Sequence, residues 1–312
     1  MKLKSQTAAT HAGRVVSSHG RDAVVEDAAH RRIHCRLHGR RLTAVCGDDV
    51  RWIAADTEGA AGLITEIGPR RTELARMNLR GESEIVAANL SQLVSVIAPL
   101  PAPDLGLCDR YLAAAEWAGL KACVVANKND LPEARTLLGE ALDCYAALGY
   151  PVVWASKRAP GGAQELALQL KGEISVLVGQ SGVGKSSLIN LLVPGVEATV
   201  QEISRAAETG KHTTSVASLY QLPAGGDLVD SPGVRDFVPP LPPPRGIASG
   251  FREIARIAAN CRFKDCMHLR EPGCAVTAAT NAGEIPARRI ASYRQLVNQA
   301  EDRSRRDPQL RR

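Results

Sequence analysis

The sequence predicts a multidomain α/β protein with three parts in series: a small β-barrel, an α/β sheet and a mainly helical metal-binding domain. Three observations carry this. Short apolar or alternating segments punctuated by Gly and Asp fill the first 95 residues, as in barrels built of brief strands. Apolar strand-like runs then alternate with helical stretches up to residue 240, the pattern of a parallel sheet covered by helices. A proline-dense stretch, Pro239-Pro240-Leu241-Pro242-Pro243-Pro244, ends that alternation and precedes a cluster of cysteines. The length, 312 residues, fits two or three units, with expected divisions at 1–95, 96–240 and 241–312.

In the first part, strands are expected around Arg14-Val15-Val16, Asp22 to Glu26, Ile33 to Leu37 and Val50 to Ile53. In the second, they are expected at Gln92 to Ala98, Ala122 to Ala126, Val152 to Ala155, Ile174 to Val178, Ser218 to Leu222 and Leu228-Val229. Asp109 to Gly119, Pro132 to Leu148 and Lys185 to Leu192 read as helices between them. The prolines read as a stiff linker, followed by a helical segment, the cysteines and an Arg-rich tail.

Composition narrows the function classes. Hydrophobic residues at 45% and charged residues at 23% exclude a fully disordered, collagen-like or coiled-coil chain. Only three Phe, five Tyr and three Trp are present, few for a surface that stacks rows of bases. The 39 basic and 33 acidic residues leave +6, and two Lys and seven Arg against three acidic residues within 1–42 account for all of it. That segment is therefore the expected polyanion-contacting part. The N-terminal stretch has no apolar core and no apolar run approaches a membrane span, so a cytoplasmic protein without membrane contact is expected. Cys35, Cys46, Cys108, Cys123 and Cys144 are scattered and read as buried small hydrophobes.

Gly179-Gln180-Ser181-Gly182-Val183-Gly184-Lys185-Ser186 fits the phosphate-loop pattern between an apolar strand and the helical Ser187-Leu188-Ile189. Its backbone N–H groups would turn around phosphate oxygens, Lys185 would reach the β and γ phosphates, and Ser186 would hold Mg²⁺. Asn127-Lys128-Asn129-Asp130 follows a strand at the carboxyl edge of the sheet, where such sheets bind ligands. The Asp130 carboxylate would accept from the guanine N1–H and 2-amino group, a donor pair that adenine lacks. Asn127 would brace the loop, and the Lys128 stem would lie over the base. Asp230-Ser231-Pro232-Gly233 supplies an Asp for Mg²⁺ and a Gly N–H for a γ phosphate. Cys261-x4-Cys266-x-His268-x5-Cys274 gathers four ligands for one tetrahedral Zn²⁺; with no open position, the ion would be structural.

These motifs resemble those of GTPases, but the Asn-Lys-x-Asp element precedes the phosphate loop, so the chain resembles a circularly permuted GTPase. It is similar over nearly its whole length to the ribosome small-subunit-dependent GTPase A family (RsgA), including Ala87-Ala88-Asn89, Asp109-Arg110-Tyr111-Leu112 and Gly210-Lys211-His212-Thr213-Thr214. Ser91 departs from the Asp expected there. The resemblance implies an N-terminal OB-type barrel that binds RNA and a first switch at 210–214. It makes Thr214 a Mg²⁺ ligand, with Thr213 the alternative, and Ser156 part of the remaining guanine-side loop. Val234 stands where many GTPases carry a water-orienting Gln, and the resemblance points to His212 in its place. It further implies GTP hydrolysis stimulated by the small ribosomal subunit and binding to its 16S rRNA; the chain is expected to be a monomer whose nucleotide state controls binding and release, GTP favouring the bound form and hydrolysis releasing it. Two other readings are an RNA-binding module that uses GTP only as a structural ligand and an ATP-dependent enzyme, against which Asp130 argues.

Overall fold

The computed structural model describes residues 9–57, 60–78, 82–195, 217–230 and 239–306. Five strands form the N-terminal barrel: β1 (Thr10–His19), β2 (Asp22–Glu26), β3 (Arg32–Leu37), β4 (Asp49–Thr57) and β5 (Ala60–Ile67), ordered β1-β2-β3-β5-β4. β4 returns to β1, pairing Thr10 with Ile53 and Arg14 with Asp49, and closes the barrel. Alternation buries Val15, Val25, Cys35, Trp52 and Ile64 inside. Between Val15 and Ser17 the register of β1 against β2 shifts; beyond this bulge Ser17 and Ser18 stay paired with Val24 and Ala23 and also pair with Ser218 and Ala217 of the next domain. A hairpin of β6 (Glu73–Met77) and β7 (Ser83–Ala88) follows.

The central sheet runs β10 (Val152–Trp154), β9 (Lys121–Ala126), β8 (Gln92–Ile97), β11 (Ile174–Val178), β13 (Asp227–Asp230), β12 (Ala217–Gln221). The first five are parallel, as the apolar runs imply, but β12 is antiparallel to β13. The short β12–β13 connection, with turns at Gly225 and Gly226, leaves no length for a crossover, so the expectation of a wholly parallel sheet is corrected there. β8 spans the expected division at residue 95 and lies wholly in this sheet. α1 (Leu105–Ala118) and α2 (Ala134–Ala147) cover one face, and α3 (Gln164–Leu170) and α4 (Lys185–Leu192) cover the other. α1 starts four residues before the expected Asp109, because Asp104 caps it by accepting from the N–H of Leu107 at 2.8 Å. At Ser91, the hydroxyl donates to Glu173 at 2.6 Å and accepts from the N–H of Ile174, tying the entry of β8 to that of β11.

The C-terminal part comprises a 3-10 turn (Pro244–Gly250), α5 (Arg252–Ala258), α6 (Ala275–Asn281) and α7 (Ala287–Arg306). Its core of Ile247, Phe251, Ile254, Val276, Tyr293 and Val297 also takes in Ala113 of α1. Gly250 is needed at this seam: a Cβ there would meet Trp117 and Ala113 at 2.6 and 2.8 Å. Of the prolines, Pro239 is buried against the domain and its carbonyl accepts from Arg110 of α1, while Pro243 is exposed. No helix among the described residues is long and apolar enough to cross a membrane.

Candidate functional site

Parallel pairing places the carboxyl ends of β8, β9, β10, β11 and β13 on one edge: Ala126 is level with Ile97 and with Trp154, Val178 with Ser95, and Val176 with Val229. The loops that leave this edge carry the sequence motifs. Residues 179–184 form the turn from β11 into α4, with Gly182 and Gly184 at positive φ. Gly184 cannot be replaced without movement, since a Cβ would stand 2.4 Å from Asn127 Nδ2; at Gly179 it would stand 2.2 Å from the carbonyl of Val96. The buried Lys185 ammonium donates to the carbonyl of Gln180 at 2.9 Å and to that of Gly179, which holds it against its own loop.

The Asn127 loop closes on the phosphate loop directly. Asn127 Nδ2 donates to the carbonyl of Val183 at 2.8 Å, while its Oδ1 is buried with no hydrogen-bond partner among the described residues. Lys128, at φ 62°, donates from Nζ to the carbonyls of Leu100 at 2.6 Å and Gly182 at 2.7 Å. Its stem thus spans from one loop to the other. Asp130 is exposed and accepts from the hydroxyl of the buried Ser156, which in turn accepts from the N–H of Arg158 at 3.0 Å. The Ser156 hydrogen bond is the chief cause that holds the Asp130 carboxyl below its ordinary value, and Arg158, 3.7 Å away, acts in the same direction. Gly162 permits the turn that presents Ser156, since a Cβ there would stand 1.9 Å from the Ser156 carbonyl.

Asp230 ends β13, one residue past the Val176–Val229 rung, on the same edge as the phosphate loop. Ser186 and Ser187 lie in the first turn of α4. His212, Thr213, Thr214, Gly233 and Val234 lie outside the described residues. One contact went unread in the sequence: Gln180 accepts from the N–H of Asp104 at 3.3 Å, so the phosphate loop touches the cap of α1. Nothing in a phosphate-loop pattern specifies a side chain at that position.

Cys261, Cys266, His268 and Cys274 converge with all ligand atoms within 4.8 Å of one another. A tetrahedron with metal–sulfur bonds of about 2.3 Å and metal–nitrogen bonds of about 2.0 Å has edges of about 3.8 and 3.5 Å. His268 Nδ1 lies 3.5 Å from the Cys261 and the Cys274 sulfurs, which are 4.0 Å apart, so the donor set fits one metal ion. Its surroundings are fixed: Glu271 accepts from the N–H groups of Met267, Leu269 and Arg270, and the Tyr293 hydroxyl donates to the Met267 carbonyl. The other five cysteines stay apart from this cluster; four are buried and Cys144 is half-buried.

A cavity of about 820 Å³ lies away from these loops, where the barrel meets β12 and β13. Arg14 crosses it to Asp49 and Asp227, and Glu26 accepts from Gln221, so its polar groups join the two domains.

The family model described as RsgA GTPase matches residues 67–238, more than half of the chain. The small ribosomal subunit biogenesis GTPase RsgA of Azotobacter vinelandii is 44% identical over 265 residues, covering 84% of this chain and 77% of that protein. The crystal structure of YjeQ from Thermotoga maritima superimposes with a TM-score of 0.74 at 30% identity over 94% of this chain and 99% of that one. YloQ, titled a circularly permuted GTPase, shares the fold with a TM-score of 0.73 at 24% identity over 97% of this chain and 99% of that one. With its guanine-type loop encoded ahead of a phosphate loop that it nevertheless contacts, the chain belongs to the RsgA GTPase family.

Proposed function

We propose that this protein binds and hydrolyses GTP in the cytoplasm during biogenesis of the small ribosomal subunit, with the subunit stimulating turnover and the nucleotide controlling its hold on 16S rRNA. The observation that carries the reading is the closure of Asn127 and Lys128 onto the carbonyls of Val183 and Gly182, which joins a base-reading loop to a phosphate loop. The oriented Asp130 carboxylate would take the guanine N1–H and 2-amino group. The N–H groups of residues 180–187 would surround the phosphates, and Lys185 would turn from its own loop carbonyls to the β and γ oxygens. The buried Asn127 Oδ1 is an acceptor that a bound ligand would satisfy. Ser186, Asp230 and Thr214, or Thr213 in its stead, would hold Mg²⁺, which would neutralise phosphate charge. The Gly233 N–H would meet the γ phosphate, and His212 would orient the attacking water.

The four-ligand cluster would hold one structural Zn²⁺ in a domain of residues 241–312. Residues 1–95 would act as an OB-type RNA-binding barrel and 96–240 as the GTPase domain of a monomer. The test is GTP hydrolysis with and without added small subunits. Stimulation supports the reading, and unstimulated, negligible hydrolysis favours GTP as a mere structural ligand. His212→Ala should keep GTP affinity and lose most stimulated turnover; full turnover would remove His212 from the mechanism.

A further inference from the structure

The loop between Cys261 and Cys266 carries an exposed phenyl ring. Among the described residues, the five tyrosines, Trp52 and Phe251 are buried, Trp117 and Trp154 are half-buried, and only Phe263 is an exposed aromatic, at 41%. It stands between two metal ligands, in the run Cys261-Arg262-Phe263-Lys264-Asp265-Cys266. The N–H of Cys266 donates to the Phe263 carbonyl, and the N–H of Arg262 donates to the carbonyl of Gly273, so the loop is tied at both sides of the ring. The Arg262 stem lies over Gly273, which has positive φ and whose Cβ, if present, would come within 3.2 Å of that stem. The Arg262 guanidinium is 5.4 Å from the centre of the Phe263 ring, a cation–π arrangement.

Charge decides what such a ring suits. Arg262 and Lys264, its neighbours in the chain, are exposed, and the one exposed acid of the Cys261–Cys266 run, Asp265, is matched by Arg245 at 3.6 Å. An apolar protein pocket would have to desolvate these cations, whereas an unpaired nucleobase brings a flat face for the ring and phosphates for the cations on either side. We propose that Phe263 is a stacking platform for one unpaired base of the RNA that this protein binds, with Arg262 and Lys264 on the adjoining phosphates. The proposal rests on the ribosomal reading above and adds a second, base-contacting site far along the chain from the basic barrel.

The test uses the full-length protein, a nonhydrolysable GTP analogue and purified small ribosomal subunits, comparing wild type with Phe263→Ala, Phe263→Leu and Phe263→Trp. Ala and Leu should each weaken binding about tenfold or more, while Trp should keep it and lose fluorescence when subunits are added. Metal content and basal hydrolysis should be unchanged in all three. Wild-type affinity in the Ala variant, an equal affinity in the Leu variant, or an unquenched Trp would overturn the proposal; retention by Leu would instead mark a contact with protein. If the wild type itself does not bind subunits, the ribosomal reading falls too; if it binds and Ala binds as well, the stacking platform alone is lost.

Discussion

Asp109→Asn should loosen the C-terminal domain by about 3 kcal/mol while sparing the far side of the α/β sheet. Asp109 is fully buried on α1 and accepts from Arg288 at 2.7 Å, Arg289 at 2.8 Å, Ser292 at 2.6 Å and Tyr145 at 2.7 Å. Arg289, equally buried, forks onto Glu253 at 2.6 and 3.1 Å. Two carboxylates thus balance two guanidinium groups. Burial opposes the Arg289 charge, but Glu253 and Asp109 outweigh it and hold the guanidinium above its ordinary value. A neutral amide of the same shape leaves one positive charge uncompensated, and breaking a buried pair in this way costs about 3–5 kcal/mol. The Arg288 side chain is 28% exposed and recovers part of the loss from water, which sets the lower end. Hydrogen exchange in α7 reads the result: amides around Leu296 and Val297 should exchange about a hundredfold faster, with α3 and α4 on the opposite face of the sheet unaffected. A change below about threefold in α7 would refute the account.

Two further outcomes are expected. Chelation of the metal should release the segment between Cys261 and Cys274 and raise protease cleavage there before the barrel unfolds, because four ligand contacts replace core in a small domain; simultaneous loss of both would contradict this. Asp130 has a lowered folded-state pKa, so its contribution is present above the ordinary value of 3.8 and is lost as pH falls through the lower folded value. Guanine-nucleotide affinity should therefore hold down to about that range, and Ser156→Ala should move its acid loss upward, as seen by fluorescent GDP titration at several pH values; an unmoved midpoint would refute the role of Ser156.

The parts legible in the sequence are those set by local chemistry. The apolar run Ala23-Val24-Val25 between Asp22 and Glu26 marks the bounds of β2, and the unbroken apolar run from Ala122 marks a buried strand. The Cys/His spacing is legible because it has the form of a four-ligand set, and the four side chains do converge closely enough to hold one ion. What stayed hidden depends on partners distant in sequence. Asp109 stands in the Asp109-Arg110-Tyr111-Leu112 motif, but nothing local ties it to Arg289, whose charge it meets across 180 positions in a dry seam. Lys128 was expected along a base, and its ammonium is also fixed by the carbonyls of Leu100 and Gly182, which no four-residue motif encodes. The antiparallel β12 and the buried Pro239 likewise follow from neighbours that spacing alone does not reveal.

The two rungs between β1 and β12 bear on how the chain is made. Ser17 is synthesised about 200 residues before Ser218, its partner. A nascent barrel is nonetheless nearly finished once β5 has emerged, because β4 already covers Thr10 to Arg14. Only the short stretch at Ser17 and Ser18 waits, and an open edge of two rungs is too short to template a long intruding strand. The last seam between barrel and GTPase sheet can therefore form late in translation without leaving a long sticky edge exposed in the meantime.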